Sequence, residues 1–268
     1  MLEVRTHATG PSWLASPLLE RLGVPHAFST RIGGVSGGPF ASLNLGNPAQ
    51  SDVKDSDANI AENYRRLLAA TGLVGRTLCR VHQIHCDRVL VILPGQPHDN
   101  TLQADALVTA DLGTIVSIRT ADCVPVLLSS SDGRWVAAVH AGWRGVVAGI
   151  LPIALSRLMQ ESSRPAGDFT VAIGPCIGRD AFEVGTEVVL EFERAFGEDA
   201  PISRGDSSKA HIDLPAALHL QALHAGLREN QIDQTDLCTY RRGDLFFSHR
   251  RDNGVTGRMA AVISPKAT

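Results

Sequence analysis

The apolar positions of this chain fall into short, dense runs rather than long amphipathic stretches. The runs at 88–93, 106–109, 114–118, 124–129, 135–140 and 169–173 are brief and partly β-branched, which is the pattern of strands. Two shorter ones, 246–247 and 260–263, read the same way. The period becomes helical over 145–159, where Val146, Ile150, Ala154 and Leu158 recur about one turn apart. Further helices are predicted over 187–196 and 214–225. Polar residues dominate 50–63, a predicted loop that runs into a helix over 60–71, and Pro, Gly, Asp and Asn mark 94–103 as a second loop. Strands and helices mix without a steady β-α-β alternation. The predicted fold class is therefore α+β, with mixed β-sheets layered against flanking helices. No internal repeat and no low-complexity linker divides residues 1–268, so a single domain is expected.

Composition narrows the function classes. A chain of 268 residues can bury a core without disulfides. A net charge of −3 and a pI near 6.4 lack the basic footprint of a nucleic-acid binder. No run of about 18 apolar residues is present, so no membrane span is expected. Residues 1–13 carry His, Thr, Gly and Pro instead of the apolar centre of a secretory leader. The cysteines are Cys79, Cys86, Cys123, Cys176 and Cys238. An odd count in a long chain without a leader points to a reducing, cytoplasmic setting, with any special cysteine acting as ligand or nucleophile.

Three segments share one design, each setting a nitrogen or sulfur donor at the edge of a strand beside a turn. They are VHQIHCD at 81–87, TADCVP at 120–125 and VHAGWRG at 139–145. His85, Cys123 and His140 together would give three metal ligands, and three leave a position for water or substrate. The spacing by itself is weak, because it contains no paired-cysteine or HExxH pattern. The alternative is a small buried thiol and two hydrogen-bonded imidazoles. Gly142 and Gly145 permit a tight turn after His140, and the helix that follows offers its N-terminus to an anion. Arg144 adds a planar cationic fork beside it. GVSGG at 34–38 matches the string of a nucleophile elbow, but no buried strand precedes it and Pro39 follows.

The ordered segments FSTRIGGVS (28–36), SLNLG (42–46), QIH (83–85), ADALVT (104–109), TADCVPVLL (120–128), AVHAGWRG (138–145), IGPCIG (173–178), FFSHRRD (246–252) and TGR (256–258) carry a resemblance. The chain resembles the laccase-domain multi-copper polyphenol oxidoreductase and purine nucleoside phosphorylase family, also called the peptidoglycan editing factor family. The resemblance implies an α+β fold and three zinc ligands, at His85, Cys123 and His140. It also implies phosphorolysis of adenosine, inosine, guanosine and methylthioadenosine, and deamination of adenosine. The partners are then a purine nucleoside and phosphate, with no nucleic acid and no membrane. Two departures stand out: Cys86 follows His85 where relatives often have Gly, and Ala217-Leu218-His219 stands where they often have Ala-Asn-Arg. Cys86 and His82 are therefore rival donors near His85.

Arg31 and Arg144 are the candidate phosphate contacts, Asp105 and Asp122 the candidate proton carriers, and Asn44 a candidate contact to base or sugar. Cys176 is a candidate nucleophile, with a packed core thiol as the alternative. Copper is the alternative metal, because two imidazoles, one thiolate and Met259 as a weak axial donor would suit it. A multicopper oxidase typically shows His-x-His pairs, and none occurs among the ten histidines. The alternative functions are an amidase acting on a UDP-MurNAc peptidoglycan precursor, a copper-dependent polyphenol oxidase, and a metal-stabilised binding protein without turnover.

Overall fold

A computed structural model describes residues 1–8, 10–49, 51–204 and 209–267. Two six-stranded sheets form its centre. The first runs β1 (Glu3–Thr6), β2 (Ser12–Ala15), β3 (His26–Ser29), β15 (Met259–Ile263), β7 (Thr114–Thr120), β4 (Thr77–Cys79). The second runs β14 (Ile232–Gln234), β10 (Phe169–Ile173), β8 (Val124–Ser130), β9 (Val136–Ala141), β6 (Ala106–Thr109), β5 (Val89–Ile92). Most neighbours are antiparallel, while β4–β7, β5–β6 and β10–β14 are parallel, so both sheets are mixed. A small third sheet joins β11 (Glu183–Val184), β13 (Ala210–Ile212) and β12 (Ile202–Arg204).

Side-chain alternation sorts the strands into layers. Leu14, Phe28, Val116, Ile118 and Ile263 of the first sheet meet Leu107, Leu127, Val136, Ala138 and Ala172 of the second in one buried cluster. Their alternates face outward. Ala27, Ile115, Ala260 and Val262 pack under Tyr64 and Leu67 of α2 (Asp57–Ala70). Val108, Val126, Leu128 and Val139 pack under α4 (Ile150–Ser162), α5 (Thr186–Phe196) and α6 (Leu214–His224). A short helix, α1 (Pro17–Arg21), is capped by the Ser16 hydroxyl. The architecture is thus α+β, helix on sheet on sheet on helix. It explains the unbroken apolar runs of β8 and β9, because strands covered on both faces need no polar alternation.

Three sequence expectations are corrected. The helix predicted over 145–159 is broken into α3 (Trp143–Val147) and α4. Gly149 turns left-handed at φ +78°, and Pro152 sits in the first turn of α4, where it needs no N–H. Inside a continuous helix its ring would clash with the carbonyl of Ala148. Phe246 and Phe247 are fully buried but form no strand; their apolar character reports burial from a loop, not pairing. The helix predicted from residue 60 begins at Asp57, with the Ser56 hydroxyl accepting from Asn59 N–H. Gln50, at the head of the predicted 50–63 loop, lies outside the described residues. Among the described residues no helix is long and apolar enough to cross a membrane.

We propose that the cluster shared by the two sheets makes the chain one cooperative unit. Calorimetry should show one unfolding transition, and two separate transitions would divide the sheets into independent units. Buried His26 tests the layer chemically. Its Nε2 accepts from Ser16 N–H at 2.8 Å and its Nδ1 faces Val24 O at 2.8 Å, so the ring is held neutral. Burial pushes its pKa down, against the smaller pull of Val24 O. The unfolded chain therefore takes up the proton first, below the ordinary value of about 6.5. The stability from this residue is present above that value and lost as pH falls through it. The thermal midpoint of the wild type should fall more steeply between about pH 7.5 and about pH 5 than that of His26→Gln; equal slopes would remove His26 as the cause.

Candidate metal centre

Asp105, immediately before β6, is completely buried, and its carboxylate organises two ligand segments at once. Oδ1 accepts from His140 Nδ1 at 2.6 Å and from His85 N–H at 3.0 Å. Oδ2 accepts from Cys86 N–H at 2.8 Å and Ile84 N–H at 3.1 Å. Burial pushes this carboxyl up, but the His140 ring and the Cys86 N–H outweigh it and hold it well below the usual carboxylate range. Three converging backbone donors bend residues 84–86 around the acid and leave His85 at φ +63°, a region non-glycine residues rarely occupy.

Asp122 does the same for the second segment. It also has a positive φ, +86°. Its carboxylate accepts from the Thr239 hydroxyl at 2.6 Å, the Ser248 hydroxyl at 3.0 Å and Arg250 N–H at 2.7 Å. The loop after residue 246 is thereby tied to the residue that precedes Cys123. Strained backbone at both His85 and Asp122 is the kind of feature that collects at functional sites.

The three predicted ligands converge. One donor atom from each of His85, Cys123 and His140 lies within 4.8 Å of the others. The two imidazoles meet edge to face, with centroids 4.8 Å apart and an interplanar angle of 79°. His85 Nε2 lies 3.7 Å from Cys123 Sγ, against about 3.6 Å for a tetrahedral zinc with ordinary Zn–N and Zn–S bonds. Asp105 holds the Nδ1 proton of His140 and so turns its Nε2 toward the thiol, as carboxylates do behind metal-bound imidazoles. Burial pushes the Cys123 thiol up, yet the positive His140 ring and hydrogen bonds from both imidazoles draw it below the usual thiol range. Burial likewise pushes His140 down, while the Cys123 thiolate and Asp105 raise it. A thiolate beside imidazoles is the donor set zinc prefers. The backbone makes room for it at Gly142, where a Cβ would lie 2.6 Å from His85 Cδ2 and 3.2 Å from Cys123 Sγ.

The other sequence candidates divide. Asp105 and Asp122 join the cluster from behind, as positioning residues whose oxygens are engaged by protein. Asn44 is fully buried and structural: Oδ1 accepts from Gly46 and Arg258 N–H, and Nδ2 donates to Asp55. Arg31 donates Nε to Ala41 O and Nη1 to Gly243 O and lies over the Phe247 ring. Arg144 is exposed and spreads over Trp143 at 4.3 Å. The helix expected to offer an anion site has five residues, and so short a run aligns few peptide dipoles. Cys86 and His82 stay outside the cluster, and burial raises the Cys86 thiol. Cys176 is a buried core thiol pushed well up by burial. Met259 Sδ accepts from Phe247 N–H at 3.1 Å. His219 faces Glu229 and Gln234. Sequence reasoning missed Arg119, His249 and Arg258 as neighbours of the cluster. The last two sit in quoted segments, FFSHRRD and TGR, but nothing in those strings gives their direction.

A layered α+β fold with two imidazoles and a thiolate gathered at strand ends defines a chain built around a soft-donor centre. The chain belongs to the multi-copper polyphenol oxidoreductase laccase family, whose model matches residues 25–266. It is 38% identical over 250 residues to a purine nucleoside phosphorylase of Deinococcus radiodurans, covering 92% of each chain. It is 40% identical over 243 residues to the purine nucleoside phosphorylase YfiH of Escherichia coli, covering 90% of this chain and 93% of that one. The solved structure of YlmD from Geobacillus stearothermophilus matches with a TM-score of 0.86 at 30% identity, over 98% of this chain and 99% of that one.

If Asp105 acts through His140, Asp105→Asn should weaken metal binding about 10- to 100-fold in chelator competition. Gly142→Ala should weaken it too, by displacing His85, without touching any donor. Unchanged affinity in both variants would mean that the cluster does not hold the metal.

Proposed function

We propose that this chain is a zinc-dependent purine nucleoside phosphorylase. The observation that carries the reading is the convergence of His85, Cys123 and His140, in a chain matching relatives named purine nucleoside phosphorylase over about nine-tenths of its length. The proposed substrates are adenosine, inosine, guanosine and methylthioadenosine, with deamination of adenosine as a second activity. Zinc bound by these three residues would supply a Lewis acid with an open fourth position.

The residues around the centre have defined tasks. Asp105 fixes the tautomer of His140 and the bend that aims His85. Asp122 holds the loop carrying Ser248 and Arg250 against Cys123. In the reaction an orthophosphate oxygen bonds to the anomeric carbon and the glycosidic C–N bond breaks. The electron pair of that bond leaves with the purine, and the proton given up by phosphate ends on the base. Holding the two reactants side by side supplies much of the acceleration in such a displacement. Zinc is the proposed metal because a thiolate with two imidazoles and an open position is one of its catalytic donor sets. The five free cysteines support a reducing compartment, the cytoplasm.

The test is metal analysis of the purified protein by mass spectrometry, followed by incubation with each nucleoside with and without phosphate. One zinc per chain is expected, with free purine appearing only when phosphate is present. His85→Ala and Cys123→Ala should lose both metal and product. Bound zinc without purine release would sink the phosphorylase reading and favour amide hydrolysis on a peptidoglycan precursor. Copper with oxidation of a polyphenol would sink the choice of metal.

A further inference from the structure

Phosphorolysis needs a place for orthophosphate; Arg31 is engaged by Ala41 O and Gly243 O, and Arg144 is exposed on the short helix over Trp143. Two half-buried cations near the cluster are Arg119 and Arg258. Strand register brings them together. β15 pairs antiparallel with β7, with Ala260 opposite Arg119. Arg258 stands two residues before Ala260, which in extended chain is the same face, so the two arginines are diagonal neighbours.

Buried groups hold this arrangement. Asn44 Oδ1 accepts from Arg258 N–H at 2.9 Å and Gly46 N–H at 3.2 Å. The Arg119 side chain lies on that glycine: a Cβ at Gly46 would be 2.8 Å from Arg119 Cδ and 3.1 Å from Nη1. Gln83, two residues before His85, donates to Arg119 O and accepts from Arg119 N–H, both at 2.8 Å. Arg119 is therefore tied to the first ligand segment and Arg258 to the loop that supports Arg119. His249 comes from the loop pinned by Asp122. Arg258 lies in the field of Cys123, Asp122 and Arg119, and His249 in that of Arg258, Asp122 and His85.

Among the described residues no acid forms an ion pair with either guanidinium. Among the described residues, the Arg119 guanidinium has no hydrogen bond or ion pair. Arg258 gives only Nη1, to Thr256 O and Gly257 O. Asp122 is already engaged by Thr239, Ser248 and Arg250. Two half-buried guanidiniums side by side repel unless an anion joins them, and planar forks suit an oxyanion.

We propose that Arg119, Arg258 and His249 form an oxyanion subsite beside the His85–Cys123–His140 cluster, and that it takes orthophosphate. This rests on the phosphorolytic reading for its purpose, but its binding is measurable without turnover. The subsite would hold phosphate beside the cluster, while Gly46 leaves the space that lets Arg119 lie flat.

The experiment is a calorimetric titration of inorganic phosphate into the zinc-loaded, full-length chain with no nucleoside present. Saturable binding is expected, weakened about tenfold or more by Arg119→Gln and by Arg258→Lys. Arg119→Gln removes no hydrogen bond or ion pair of its guanidinium among the described residues and keeps a side chain over Gly46, so loss of fold does not explain its effect. Gly46→Ala should also weaken binding while leaving every charge in place. Exposed Arg157→Gln, on α4, should not. In turnover, KM for phosphate should rise in the Arg119 and Arg258 variants with KM for nucleoside nearly constant. Phosphate binding unchanged in both arginine variants would overturn the subsite, as would a wild type that binds no phosphate. Phosphate bound and lost as expected, with no purine released, would uphold the subsite and fail the phosphorylase reading instead.

Discussion

One buried carboxylate organises the centre of this protein. Asp105 has no access to water, so its charge must be answered by the protein alone. It is answered by one imidazole and three backbone N–H groups. Those donors belong to two distant segments, and satisfying the acid forces them together. The bend of residues 84–86, the direction of His85 and the tautomer of His140 follow from that single requirement. Backbone at positive φ is tolerated at His85 because the bonds to Asp105 over-determine it.

The two packed sheets make such a demand possible. Strands covered on both faces form a rigid interior, and the donors stand where those strands end. His140 lies inside β9, Cys123 just before β8 and Asp105 just before β6, in neighbouring strands of one sheet. Pro125 faces His140 across the ladder, so register alone brings the second and third segments side by side. The third side chain, His85, arrives from a loop and depends on Asp105. The cluster is graded accordingly: His140 is buried, Cys123 half-buried and His85 exposed. On the proposed reading, the buried end holds geometry and the exposed end admits substrate.

Charge follows the same division. Asp105 and Asp122 lie behind the ligands, engaged by protein donors, while Arg119 and Arg258, which form no ion pair among the described residues, lie beside them. This asymmetry suits an anionic reactant. The family name speaks of several coppers, but the described residues gather one such cluster of three donors.

Much of this was legible in the sequence, for definite reasons. Dense apolar runs marked the central strands because strands buried on both faces must be apolar along their whole length. Helical spacing marked α5, α6 and most of α4. The three donors were nameable as candidates because each sits at a strand edge beside a turn, but their spacing is weak by itself, and the family resemblance chose His85 over His82 and Cys86. Other features were decided only by tertiary structure. β1, β2 and β3 carry mixed residues; they pair with one another, and β3 joins the sheet through β15, far along the chain. Phe246 and Phe247 read as strand because burial, not hydrogen bonding, selects their type. Asp105 and Asp122 read as proton carriers because a sequence shows an acid but not the donors that surround it. Arg119 and Arg258 are 139 residues apart and became neighbours only through the register of β7 with β15. Residue type and local period depend on nearby chain and so are written in the sequence, whereas the direction of a side chain and its partners depend on non-local contacts that only the folded chain makes.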